Sequence, residues 1–265
     1  MRTEFINIHV HEDNELETIL NCKLISREKL SHWPLSYVEK LSLADGTYLI
    51  YKSQHSTSSV EKEIYETIKS PFLLTPCYYE IYENCDIMIF PFIEYPTLAK
   101  DISDHKLEQL VAEVSKILNN FGEIPIFFDF STPEKLIEVV DSVCEIFEDE
   151  TEVAVLKEWL HQNVNRLYDN QEIGYLHGDL KTTNLLAEGE QLKYILDWQR
   201  PFKGPLALEK ALAFLSNDRD AKGDDFEKLA IICHFIWFSY AHDKYLNGLI
   251  DESRRLLQKF ELTIK

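Results

Sequence analysis

Residues 175–184 read YLHGDLKTTN, and residues 194–200 read YILDWQR. The first stretch is an apolar strand end followed by a polar turn that carries His177, Gly178, Asp179, Lys181 and Asn184. The second is a hydrophobic strand ending on Asp197 and Trp198. Between them Asn184-Leu185-Leu186 starts a strand, Glu188-Gly189-Glu190 suits a hairpin tip, and Lys193–Leu196 returns the chain. Hairpins bring their outer ends together, so Asp197 is expected near Asn184. An acid, an amide five residues on and a second acid at a strand end supply what metal-assisted phosphoryl transfer needs. Asp179 is the candidate general base, because transfer to a hydroxyl needs a carboxylate that orients the nucleophile and accepts its proton. Asn184 and Asp197 are the candidate magnesium ligands, since magnesium takes hard oxygen donors and keeps several waters. Singly, each has a plainer reading as a turn residue or the mouth of an ordinary hairpin. Together, at this spacing, they are hard to obtain by accident.

Upstream, residues 1–95 are strand-rich. Alternating or apolar runs occur at Glu4–Val10, Leu35–Leu43, Thr47–Tyr51, Cys77–Ile81 and Asp86–Phe90, with Asp45-Gly46 as a hairpin turn. One helix, over about 58–69, interrupts them and stops at Ser70-Pro71. From residue 96 onward the pattern is helical. Leu107, Leu110, Val111, Val114, Ile117 and Leu118 keep a 3.6-residue period. Thr132-Pro133 caps a second helix, and Val153, Leu156, Leu160, Val164 and Leu167 make a third apolar face. Further helices are expected near 206–216, 224–246 and 251–262. The chain therefore divides into an α+β region, 1–95, and a mainly helical region, 96–265.

HGDLKTTN followed by ILDWQ resembles the aminoglycoside phosphotransferase and choline kinase-like family, relatives of the protein kinases. The resemblance implies a two-lobed α+β protein-kinase-like fold, with a small antiparallel-sheet lobe carrying one helix and a larger helical lobe. It implies ATP and Mg2+ as cofactors and a small-molecule hydroxyl substrate such as an aminoglycoside, an amino alcohol or a sugar-like compound. By the same resemblance, Lys52 at a strand end would hold the α- and β-phosphates and pair with Glu61 on the following helix, with Glu63 as the rival. The Pro91 carbonyl and the Ile93 amide would bind adenine. Lys181 would reach the γ-phosphate, and His177 would hold the catalytic loop by hydrogen bonding.

Two departures stand out. The phosphate-covering loop should fall between Ser31 and Glu39, where SHWPLSYVE contains no glycine, so Ser36 is the residue left to assist there. Glu209 stands where the family commonly has aspartate. The glycine-free loop motivates the alternative of a catalytically silent kinase-like module that acts through protein contacts. His234, Trp237 and Tyr240 on a late helix either line a substrate pocket or belong to the core.

Bulk properties narrow the field. A formal charge of −19 argues against non-specific nucleic-acid binding, which needs basic residues to displace counterions, and against docking on anionic lipid. Five cysteines without a CxxC pair read as reduced thiols of a cytoplasmic protein. The N-terminal residues lack the apolar core of a signal peptide, and the longest apolar run, Leu229 to Ala241, is too short to span a bilayer.

Overall fold

A computed structural model describes residues 8–33, 35–99, 101–147, 151–189, 191–219, 225–245 and 250–264. In chain order the first elements are α1 (Asp13–Leu20), β1 (Leu24–Trp33), β2 (Ser36–Leu43), β3 (Tyr48–His55), α2 (Glu61–Thr67), β4 (Tyr78–Tyr82) and β5 (Cys85–Pro91). There follow α3 (Asp104–Asn119), β6 (Phe128–Asp129), α4 (Pro133–Cys144), α5 (Thr151–Tyr168), β7 (Ile173–Leu176), β8 (Leu185–Glu188), β9 (Gln191–Ile195) and β10 (Phe202–Pro205). The helices α6 (Ala207–Ser216), α7 (Asp225–Tyr245) and α8 (Ile250–Ile264) complete the chain. Contacts divide it into two units. One comprises Met1–Thr97 with Leu185–Gln199, the other Leu98–Asn184 with Arg200–Lys265.

The first unit is built on a five-stranded antiparallel sheet of order β1-β2-β3-β5-β4. Asp45 accepts the Thr47 amide at 2.9 Å, and Gly46 at φ +88° closes the β2–β3 turn. Leu41, Leu43, Leu49, Tyr51, Ile87 and Ile89 bury one face of the sheet together with Leu16 of α1. Side chains alternate along a strand, so Lys52 and its cross-strand partner Met88 turn to the opposite face. That one-residue step takes Lys52 out of the apolar layer and toward α2.

Two elements of the first unit have no counterpart in the sequence pattern. Helix α1 is mostly polar and buries only Leu16, so it leaves little apolar periodicity to read. Polar contacts pin the segment that leads into it. Arg27 donates to the His11 carbonyl at 2.8 Å, to Asp13 at 2.8 Å and to buried Glu39 at 2.5 Å. His11 itself lies between the Tyr51 hydroxyl at 3.0 Å and Glu80 at 2.9 Å. Strand β1 is an edge strand with Ile25 and Leu30 exposed, so the apolar-in, polar-out alternation fails along it. Of the expected strand Glu4–Val10, residues 1–7 lie outside the described residues, and Ile8 to Val10 are not in a strand. The segment expected to cover phosphate spans the end of β1 and the start of β2. β1 runs to Trp33, β2 begins at Ser36, and these two residues pair in register.

The β8–β9 hairpin belongs with the first unit although it comes late in the chain. Leu186 bridges Thr97, the Ala187 amide donates to the Pro96 carbonyl at 3.1 Å, and the Ile195 amide donates to the Phe72 carbonyl at 2.9 Å. The Val60 amide then donates to the Gln199 carbonyl at 3.0 Å, tying the start of α2 to the segment that carries Asp197.

The second unit is helical around a small mixed sheet of order β6-β10-β7. Thr132 caps α4 by accepting the Lys135 amide, with Pro133 at the first helical position, as the Thr-Pro pair predicts. Leu136, Val140, Leu156, Leu160, Val164 and Phe235 are among the buried side chains of its core. Among the described residues, no helix is long and apolar enough to cross a membrane.

Candidate active site

In the first unit, Lys52 lies inside β3, not at a strand end as expected, and sits between two acids. Its Nζ donates to Glu61 Oε2 at 2.5 Å and to Asp197 Oδ1 at 2.9 Å, a contact across 145 residues of sequence. Glu61 is 1% exposed and takes a further hydrogen bond, at 3.0 Å, from the hydroxyl of buried Tyr65 one turn along α2. Glu63 lies two residues on and is exposed. Burial alone would push the Lys52 ammonium down, but the carboxylates of Asp197 and Glu61 outweigh it and hold the pKa above its ordinary value. The side chain is thus a fixed cation. Asp197 sits at φ +64°, a backbone region that few non-glycine residues adopt, and its carboxylate is one-third exposed. The next residue, Trp198, is fully buried and donates its indole N–H to the Ile195 carbonyl at 2.7 Å, which anchors the bend.

In the second unit, the turn after β7 presents Asp179. The Lys181 amide donates to the Asp179 carbonyl and the Asn184 amide to the Lys181 carbonyl, each at 2.9 Å, so the turn is wound tightly. The Asn184 Nδ2 also donates to the Asp179 carbonyl at 3.0 Å, which directs the amide oxygen away from that carbonyl. The Asp179 carboxylate accepts from Ser216 Oγ at 3.1 Å and from Lys181 Nζ at 2.9 Å. Asn217, at the end of α6, accepts the Thr182 amide at 3.0 Å and donates to the Leu180 carbonyl at 2.9 Å. One side chain thereby clamps both flanks of Lys181.

Buried Glu209 on α6 holds the start of the turn. Its carboxylate accepts the His177 amide at 2.6 Å and the Gly178 amide at 3.1 Å. His177, also buried, accepts the Asp179 amide on Nδ1 at 3.3 Å. Burial pushes the Glu209 carboxyl up to about 7, against the two backbone amides that favour the ionised form and with nearby Asp179 adding to the rise. The unfolded carboxyl ionises near 4.5 and the folded one near 7, so the folded protein holds the extra proton. This contribution to stability is complete below about pH 4.5 and is lost as the pH rises through 7, with a span of roughly 3 kcal/mol. Glu209→Gln cannot ionise, so the stability of the native chain relative to this variant is expected to fall between pH 5 and pH 8 in chemical denaturation. A pH-independent difference would remove Glu209 as the titrating group.

Gly178 lies at φ +82°, and a Cβ there would come within 2.9 Å of the Phe202 ring and 3.1 Å of the Arg200 carbonyl. Both the backbone and the space exclude a side chain. Gly178→Ala is expected to cost about 1–3 kcal/mol and to reduce turnover by displacing Asp179. Unchanged denaturation and turnover would contradict this.

Ser36, Pro91 and Ile93 complete the site residues singled out from sequence. Ser36 is buried at the start of β2, opposite Gln54. Pro91 ends β5, and Ile93 follows two residues later in non-regular chain. Among the described residues, no cluster of three or more His, Cys, Asp or Glu side chains forms a metal cage. A magnesium site built mainly from phosphate and water oxygens does not require one. Sequence reasoning missed Ser216 and Asn217. Their signal was a polar Ser-Asn-Asp run closing an apolar helix, which reads as a helix end and nothing more.

Residues 131–230 match the Phosphotransferase enzyme family, a span that contains both motif stretches. No curated protein matches the chain by sequence. Among solved structures, aminoglycoside phosphotransferase APH(4)-Ia, in ternary complex with AMP-PNP and hygromycin B, superposes with a TM-score of 0.65 at 12% identity. The match covers 95% of this chain and 97% of that one. Choline kinase LicA from Streptococcus pneumoniae superposes with a TM-score of 0.67 at 15% identity, over 94% and 97% of the two chains. A putative fructosamine-3-kinase from Thermobifida fusca gives 0.54 at 11% identity, over 94% and 98%. Identities this low speak for the fold. The chain therefore has the protein-kinase-like α+β fold of the aminoglycoside phosphotransferases and choline kinases, and over residues 131–230 its sequence is similar to the phosphotransferase enzyme family.

Proposed function

We propose that this chain transfers the γ-phosphate of ATP to a hydroxyl of a small molecule. The observation that carries this reading is the ion triad of Lys52, Glu61 and Asp197. A lysine kept cationic between two acids, one of them on a strained bend, has an evident use in holding phosphate oxygens. Asp179 is the proposed base. Ser216 and Lys181 fix its two oxygens, so the carboxylate is oriented before an acceptor hydroxyl gives up its proton. Lys181 is placed to shift from Asp179 to a phosphate oxygen as charge develops there. Asn184 and Asp197 are the proposed holders of magnesium, offering one amide and one carboxylate oxygen. When bound, the ion would offset negative charge on the phosphates. Adenine is assigned to the backbone at Pro91 and Ile93, and Ser36 to the phosphate side of the β1–β2 hairpin.

A second reading, a nucleotide-binding module without transfer, is favoured by the absence of glycine from the segment 31–39 that joins β1 to β2. Two measurements separate the readings. MgATP at a hundredfold excess over its dissociation constant is expected to stabilise the fold by about 2.7 kcal/mol. A screen of aminoglycosides, amino alcohols, sugars and hydroxylated acids should then find an acceptor that stimulates ADP release. Stabilisation without transfer to any acceptor would favour the silent module, and no stabilisation would end both readings.

A further inference from the structure

The proposed phosphate chemistry gives no role to Arg200, whose backbone borders the turn that carries Asp179. Its carbonyl packs against Gly178, the residue before Asp179, where a Cβ would come within 3.1 Å. Its guanidinium lies over the Trp237 indole, 3.5 Å from the ring centroid. Trp237 is 8% exposed and stands on α7, one turn after His234. Flat stacking on an indole holds a guanidinium in one plane and leaves its N–H fork at the edges. A fork with five donors suits a carboxylate or phosphate even while it serves other partners.

The surroundings point the same way. The chain carries 46 acidic against 27 basic side chains, so a cation built onto an aromatic platform beside the catalytic turn runs against its average charge. His234 is electrostatically coupled to Asp179, Lys181, Arg200 and Lys259. Burial pushes its pKa down to about 4, with the three cations reinforcing the fall and Asp179 opposing it. At neutral pH its ring is therefore uncharged.

We propose that Arg200, stacked on Trp237, binds an anionic group of the acceptor, so that the substrate is a hydroxylated carboxylate or a sugar phosphate and not a polyamine. This narrows the acceptor of the kinase reading above and rests on it. The test is direct calorimetric binding at fixed ionic strength, independent of turnover, with D-gluconate, D-glucose 6-phosphate, D-glucitol and D-glucosamine as probes. One or both anionic probes are expected to bind at least about tenfold tighter than glucitol and glucosamine, a difference of about 1.4 kcal/mol. Arg200→Gln should erase the difference and Arg200→Lys retain part of it, and the Lys variant carries the test should the Gln variant fail to fold. Gluconate and glucose 6-phosphate separate the carboxylate from the phosphate source. Equal or undetectable binding of all four probes, or an anion preference that survives Arg200→Gln, overturns the inference. An Arg200-dependent preference without ADP formation from any acceptor would keep the anion site and sink the kinase reading instead.

Discussion

Asp179→Ala is expected to lower acceptor-stimulated ADP formation by roughly 10²–10⁴-fold while the protein still folds and binds MgATP. The turn that carries Asp179 is held by groups other than its carboxylate. Glu209 takes the amides of His177 and Gly178, and Asn217 clamps Leu180 and Thr182. Losing the carboxylate removes only the bonds from Ser216 and Lys181, both to a side chain that is 19% exposed, so stability should change by about 1 kcal/mol or less. Asp179→Asn is the sharper control, because it can still accept from Ser216 yet has no basic oxygen for the acceptor proton. Turnover within a few-fold of the native protein in both variants would remove Asp179 from the reaction.

Lys52→Ala is expected to destabilise the first unit by about 3–5 kcal/mol in denaturant unfolding. It strands the carboxylate of Glu61, which is 1% exposed, with the Tyr65 hydroxyl as its remaining support in this network. Asp197 also loses its 2.9 Å partner but is one-third exposed and can turn to water. Glu61→Gln in the same chain should therefore restore part of the loss, since the stranded charge and not the missing contact carries most of the cost. Both variants should lose the MgATP-induced stabilisation. A Lys52→Ala protein that loses less than about 1 kcal/mol and is still stabilised by MgATP would contradict the structural and the phosphate-holding roles together.

Several elements were plain from the residues alone. Helices α3 and α5 keep an apolar stripe through their length because each buries one face, and α4 opens on its Thr-Pro cap. The β2–β3 hairpin was announced by Asp45-Gly46, one of the few turn pairs with its own backbone chemistry. Edge strand β1, polar helix α1 and the short strands β6 and β10 were not legible. Their positions depend on neighbours distant in sequence, such as Arg27 bonding to His11 and Glu39, or Phe202 of β10 lying between Phe128 and Leu176.

The same division runs through the candidate site. Local spacing sufficed to single out Asp179, Asn184 and Asp197, because a turn and a hairpin are short-range structures whose residue types declare their chemistry. Tertiary structure alone decided which acid meets Lys52, since Glu61 and Glu63 are two residues apart on one helix and only packing selects the buried face. It also gave Glu209 its place. In sequence that residue is one of two departures from the family pattern, and a contact across 32 residues makes it the acceptor that holds the turn carrying Asp179. Charge and hydrogen-bonding capacity belong to single residues, whereas burial and partnership arise only when distant segments are folded against each other.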